Sequence, residues 1–157
     1  MIDEDDFFID DDDAEVAADT RKPWTILLVD DEPEVHTVTK TALKTVVVLN
    51  RPMRFISAYT GAEAQKIVEL DRSIDLMFLD SVMETESAGI DCAKYIKAVL
   101  GRHIPVIVMR TGWAPSEAQL MFGSIYLDDF VFKTAATLPV LVALLNKWLV
   151  PLEKRYE

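Results

Sequence analysis

The stretch WTILLVDDEP, residues 24–33, decides the fold. Trp24 to Val29 is a continuous run of apolar and β-branched residues that stops at two aspartates, Asp30 and Asp31. A strand without polar alternation is buried on both faces, as in a parallel sheet covered by helices on each side. Pro33 then suits the first turn of a helix, with Asp31 or Glu32 as its cap. The turn after the strand is Asp-Asp-Glu-Pro and holds no glycine-rich loop, which removes P-loop and dinucleotide-binding readings.

The same unit recurs along the chain. The first helix is expected to run to about Leu49, where Asn50, Arg51 and Pro52 break it. Met53 to Tyr59 reads as a second strand, and Thr60 and Glu63 form a T-x-x-E capping box that opens a helix to about Leu70. Ile74 to Leu79 is a third strand ending at Asp80, followed by a helix from about Gly89 to Leu100. Ile104 to Met109 is a fourth strand, ending at Arg110, Thr111 and Gly112; Ser116 to Gln119 is a second capping box, starting a short fourth helix. Asp129 to Phe132 is a fifth strand ending at Lys133, and Thr137 caps a fifth helix that Pro151 should end or kink near Val150. Five βα units in succession predict an α/β protein with a doubly wound, five-stranded parallel sheet.

The 157 residues suit one domain, and half of them are hydrophobic, enough for a sizeable core. The net charge of −11 is uneven: residues 1–22 carry ten acids against Arg21 and Lys22, so −8 sits in the first 22 residues and −3 in the rest. Such a run repels itself and buries little, so 1–22 is expected to be a disordered acidic tail, solubilising or, through Phe7, Phe8 and Ile9, a docking segment. The charge balance argues against nucleic-acid and anionic-membrane partners. The single cysteine, Cys92, the absence of an 18-residue apolar stretch and the acidic N-terminus lead to an expected cytoplasmic location. Cys92 reads as a small buried hydrophobe, and His36 and His103 as surface or satisfied residues without metal-ligand company.

In an open parallel sheet, ligands bind outside the carboxyl ends of the strands. Asp30, Asp31, Asp80, Thr111 and Lys133 all stand at such ends. Clustered carboxylates suit a hard divalent cation such as Mg²⁺. A lysine and a hydroxyl suit phosphoryl oxygens, and a carboxylate can itself be the nucleophile. Taken singly, each residue has a plainer role: a helix cap, a turn or a solvated charge.

ILLVDDEP (26–33), LMFLD (76–80), VIVMRTG (106–112) and FVFK (130–133), in that order, resemble the receiver domain of two-component response regulators. The resemblance spans about Trp24 to Val150, with residues 23–150 as the domain and 151–157 as an extension or linker start. It implies the flavodoxin-like (βα)5 fold with strand order 2-1-3-4-5. It implies that Asp80 accepts a phosphoryl group from a sensor histidine kinase or phosphotransfer protein. Asp30, Asp31, Asp80 and the backbone carbonyl of Val82 would hold Mg²⁺, and Lys133 and Thr111 would contact the phosphoryl oxygens. Phe130 takes the place of a switch aromatic, core packing being its plainer reading. The output face would comprise the fourth helix, the fifth strand and the fifth helix, with Met121, Phe122, Ile125, Tyr126 and Trp148, and would meet an output domain or a second copy of the chain.

Two positions depart from the family pattern. Glu84 stands where a proline is common, and Thr134 follows Lys133 where a cis-proline is common, so the Lys133–Thr134 bond is expected to be trans or strained. VMETESAG (82–89), with RTG and KT, is similar to receivers that precede a sensory-like module and an HD-type cyclic-dinucleotide phosphodiesterase. Trp113 and Val82 would flank the attacking water and slow self-dephosphorylation, or Trp113 simply packs on a helix; Arg110 is expected to pair with Glu84 or Glu86. Three functions compete: a phosphorylated receiver, a pseudo-receiver interaction module that is not phosphorylated and, last, an aspartate-nucleophile phosphohydrolase. The first makes the chain a signalling domain and not an enzyme.

Overall fold

The computed structural model describes residues 22–101, 104–112 and 126–153. Five strands, β1 (Trp24–Val29), β2 (Met53–Ala58), β3 (Leu76–Asp80), β4 (Val106–Thr111) and β5 (Asp129–Phe132), form one sheet in the order β2-β1-β3-β4-β5, with every pair parallel. This is the expected doubly wound, flavodoxin-like architecture. Helix α1 (Pro33–Leu43) and the C-terminal helix (Leu138–Glu153) flank the sheet with α2 (Gly61–Leu70) and α3 (Ala88–Tyr95), and a π-helical turn, Ile96–Leu100, extends α3.

The strand pleat sorts the core into two layers, because successive side chains point to opposite faces. Trp24, Ile26, Leu28, Leu76, Phe78 and Val108 face one side and pack with Leu43 of α1 and Leu141, Leu145 and Leu149 of the C-terminal helix. Leu27, Val29, Met77, Leu79, Ile107 and Met109 face the other and pack with Ala64 and Val68 of α2 and Cys92 and Ala93 of α3. Cys92 is buried, as expected of a small hydrophobe.

Several element ends differ from the sequence reading. Helix α1 stops at Leu43 and not near Leu49. The apolar pattern continues through Val48, but Thr45 to Val48 are β-branched and Leu49 and Asn50 both adopt positive φ (53° and 63°). They form a two-residue turn in which Val48 and Arg51 exchange backbone hydrogen bonds of 3.0 and 3.1 Å. Arg51, itself buried, holds this turn in place: its guanidinium lies 3.6 Å from the centre of the Trp24 ring, and Nη1 pairs with Glu153 at 2.8 Å. That pairing bears on the second difference, since the C-terminal helix runs through Pro151 to Glu153. Buried Leu152 and the Glu153–Arg51 pair anchor the last turn, which outweighs the one backbone donor that proline lacks. Strand β3 begins at Leu76, two residues later than expected, and β4 spans 106–111 and includes Thr111.

The capping box of α2 is present in a shifted form. Glu63 N donates to Thr60 Oγ1 at 3.0 Å, while the Glu63 carboxylate accepts from Tyr59 N and not from Thr60 N. The short helix expected from Ser116, the acidic tail before Lys22 and the last four residues lie outside the described residues.

Candidate functional site: an acidic cluster at the strand ends

The parallel register brings the carboxyl ends of β1, β3, β4 and β5 to one edge. Asp30 follows β1 directly and is buried; its Oδ1 accepts from Glu32 N at 2.9 Å and closes the turn into α1. His36, one turn into α1, reaches back to hold the same residue. Its Nε2 lies 2.8 Å from the Asp30 carbonyl and its Nδ1 2.9 Å from Ser57 Oγ. The carbonyl can only accept, so Nε2 carries the proton and, in the neutral ring, Nδ1 accepts from the serine hydroxyl. The sequence left His36 as surface or satisfied; it is buried and satisfied, and it positions the Asp30 backbone.

Asp30, Asp31 and Asp80 each present a carboxylate oxygen within 4.8 Å of the others, with Asp31 exposed and the other two buried. Lys133, on the short 3₁₀ turn after β5, places Nζ 3.2 Å from Asp80 Oδ1 and 3.6 Å from Asp30 Oδ2. Burial, reinforced by the Asp30 charge, pushes the Asp80 carboxyl above its usual range against the opposing pull of Lys133. Burial also opposes the charge on Lys133, but Asp80 and Asp30 outweigh it and hold the ammonium above its usual range. Thr111 is buried at the end of β4, and Ser81 Oγ lies 3.4 Å from its hydroxyl. Val82 N approaches Asp80 Oδ1 at 3.5 Å. Asp30, Asp31, Asp80 and Lys133 therefore share one cluster, with Thr111 one step away through Ser81.

The loop after Asp80 is held from two directions that the sequence reading missed. Gly89 N donates to Ser81 O at 3.1 Å, and a β-carbon on Gly89 would lie 2.3 Å from Asp80 O and 2.8 Å from Ser81 Cα. Only glycine permits this approach of α3 to the aspartate. Glu84 turns away from Arg110 and accepts from Gly61 N and Ala62 N at the start of α2. Burial opposes its ionisation, but these N–H groups outweigh burial and lower its pKa. The expected pairing of Arg110 with Glu84 or Glu86 is thus replaced. Arg110 lies on the opposite face of β4 from Thr111, and its Nη1 donates to Thr39 Oγ1 of α1 at 2.9 Å.

No cis peptide bond occurs among the described residues, so Lys133–Thr134 is trans. Phe130 is 38% exposed and meets Phe132 edge-to-face at 6.2 Å. Of the other residues expected on the output face, Tyr126 packs on the α2–α3 core and Trp148 on the opposite one. Met121, Phe122, Ile125, Trp113 and His103 lie outside the described residues.

A family model described as the response regulator receiver domain matches residues 26–145. The chain belongs to this family. Receiver domains are the signalling modules of two-component systems, and the (βα)5 sheet with its acidic edge is this receiver's framework. The receiver is 37% identical over 135 residues to the 3'3'-cGAMP-specific phosphodiesterase 2 of Vibrio cholerae; the match takes in 85% of this chain but 26% of that relative, so the chain spans about a quarter of its length. The response regulator receiver protein of Pseudomonas putida matches with a TM-score of 0.65 and 25% identity, over 82% of this chain and 99% of that one. The receiver domain of the Francisella response regulator 1452 shares the fold with a TM-score of 0.66 at 18% identity, over 85% and 98% of the two chains. Among the described residues no helix is long and apolar enough to cross a membrane.

Proposed function

We propose that this receiver is a phosphorylation switch in which Asp80 takes a phosphoryl group from the phosphohistidine of a sensor kinase or phosphotransfer protein. One observation carries the reading: the Lys133 ammonium stands within 3.6 Å of both Asp80 and Asp30, inside a cluster of three carboxylates. An Asp80 oxygen attacks phosphorus, the new O–P bond forms as the donor's N–P bond breaks, and the electron pair returns to the imidazole nitrogen. Lys133 and Thr111 receive the phosphoryl oxygens, one as a point charge and the other as a hydrogen-bond donor.

The donor set fits Mg²⁺. It consists of hard carboxylate oxygens, and Asp30 Oδ2 is buried with no hydrogen-bond partner among the described residues. Asp30, Asp31, Asp80 and the carbonyl of Val82 would hold the ion, which when bound neutralises the charge shared by the carboxylates and the phosphoryl group. The chain transforms no substrate beyond its own phosphorylation and dephosphorylation.

Phosphorylation adds about −1.5 to −2 charge at the ends of β4 and β5. Phe130, half-exposed on β5, and the face from the fourth helix to the C-terminal helix then change what they present to an output domain or a second copy. The organisation we propose is an acidic tail over 1–22, the receiver over 23–150 and an extension over 151–157, working in the cytoplasm without direct membrane or nucleic-acid contact. The Vibrio relative makes a cyclic-dinucleotide phosphodiesterase the first output to test. Incubation with Mg²⁺ and acetyl phosphate is expected to add the mass of one phosphoryl group, and Asp80→Asn is expected to abolish it. A wild type that takes up no phosphoryl group, and gives no spectral change with a beryllofluoride mimic, would make the chain a pseudo-receiver. Turnover of phosphate esters would make it an enzyme.

A further inference from the structure

Arg110 is a half-buried cation that the proposed chemistry does not use. It is the β4 partner of Asp80 in the sheet register, and its carbonyl accepts from Ser81 N at 3.1 Å. Its side chain leaves the face opposite Thr111. The guanidinium lies 6.0 Å from the Phe78 ring centre, and Nη1 donates to Thr39 Oγ1 of α1. Asp30, His36, Thr39, Phe78 and Arg110 are among the residues that line one small, partly open pocket between β1, α1, β3 and β4. Asp30 Oδ2 and Arg110 Nε are the buried side-chain atoms with no hydrogen-bond partner among the described residues. Leaving the buried Nε donor unpaired costs about 1–3 kcal/mol.

We propose that Arg110 is a positioning residue of the acidic cluster, a built-in counter-charge that offsets the repulsion between Asp30 and Asp80 from the neighbouring strand on the same face of the sheet and competes with the divalent cation for them. Lys133 balances the same carboxylates by ion pairs of 3.2 Å to Asp80 and 3.6 Å to Asp30. Burial lowers the Arg110 pKa, while the charges of Asp30 and Asp80 act to raise it, in keeping with a field shared between them. The role follows from Coulombic reach through a low-dielectric interior and needs no direct contact. It sets the affinity for Mg²⁺ and leaves the identity of the phosphoacceptor unchanged.

The inference rests on the Mg²⁺ reading above, and the experiment separates the two. Mg²⁺ affinity is measured by calorimetry, and melting temperature with and without MgCl₂, for the wild type, Arg110→Met, Arg110→Lys and Thr39→Val. Arg110→Met is expected to bind Mg²⁺ roughly fivefold or more tightly, because a competing charge is gone, and to gain more melting temperature from MgCl₂ than the wild type does. Arg110→Lys keeps the charge and is expected to stay near the wild-type affinity. Thr39→Val keeps the charge and removes only the anchoring hydroxyl, so its MgCl₂ response is expected to match the wild type. Arg110→Gln, which retains a donor for Thr39 and drops the charge, is the second neutral variant and should follow Arg110→Met. A wild type that binds Mg²⁺ with the same affinity as both neutral variants would overturn the role of Arg110 and leave the metal reading intact. A wild type that binds no Mg²⁺ would overturn both.

Discussion

The carboxylate of Glu84 accepts a hydrogen bond from the backbone N–H of Gly61 at 2.9 Å, and so ties the loop after Asp80 to the first turn of α2. Ala62 N donates to the same carboxylate at 3.2 Å. Glu84 is thus a capping residue supplied from a different part of the chain, next to the positive end of a helix dipole. Glu84→Ala is expected to cost about 0.5 kcal/mol at pH 7, at the low end for a cap because solvent screens this exposed carboxylate. The pKa is lowered in the folded state, so this stabilisation is present above the ordinary glutamate value and is lost as pH falls through the folded value. Thermal melts of wild type and variant should therefore differ at pH 7 and converge in acid. Equal melting points at pH 7 would remove Glu84 from this account.

Asp80 works in the other direction. Its folded pKa is raised, first by burial and then by Asp30, so its contribution to stability is fully present below the unfolded value of 3.8 and is lost as pH rises through the folded value. At neutral pH and without metal the ionised group is a cost. Asp80→Asn is expected to raise the melting temperature of the metal-free protein by a few degrees, on the order of 1 kcal/mol, and to shrink the stabilisation by MgCl₂. A lower melting temperature for the variant in chelator at pH 7 would contradict the sign.

Gly89 has no room for a side chain. A β-carbon there would lie 2.3 Å from the Asp80 carbonyl, a backbone atom that cannot swing aside. Gly89→Ala is expected to destabilise the fold by about 3 kcal/mol or more and to slow phosphoryl uptake, because α3 must retreat from the loop that carries Asp80. Denaturant melts and acetyl phosphate uptake measure the two effects, and a variant as stable as the wild type would show that α3 does not press on this loop.

Cys92 is expected to be inert. Burial, with the charge of Glu84, pushes its thiol from 9.0 up to about 12. At pH 8 this leaves on the order of a thousandfold less thiolate than an unperturbed thiol would have. Iodoacetamide at pH 8 should label the unfolded protein in minutes and leave the native protein unlabelled on that timescale. Equal labelling of both would place Cys92 outside the core.

The sequence by itself determined what depends on neighbours along the chain. The central strands β1 and β3 were legible because both of their faces are buried, so Trp24–Val29 and Leu76–Leu79 are nearly continuous apolar runs. The ends of β1 and β3 were legible because the apolar runs stop abruptly at Asp30 and Asp80. In a parallel sheet those ends share one edge, so Asp30, Asp80 and Lys133 could be grouped before any distance was known. Tertiary structure alone decided the features set by distant partners. Helix α1 ends at Leu43 because the Val48–Arg51 turn is locked by Trp24 and Glu153, which are far from it in sequence. Arg110 reaches Thr39 because β4 alternates its faces and α1 crosses behind it. Glu84 finds α2, His36 finds the Asp30 carbonyl, and Gly89 finds Asp80 only when separate helices pack on one sheet edge. Local pattern carries the periodicity of burial, whereas the partner of a polar side chain depends on which elements close packing brings within about 3 Å.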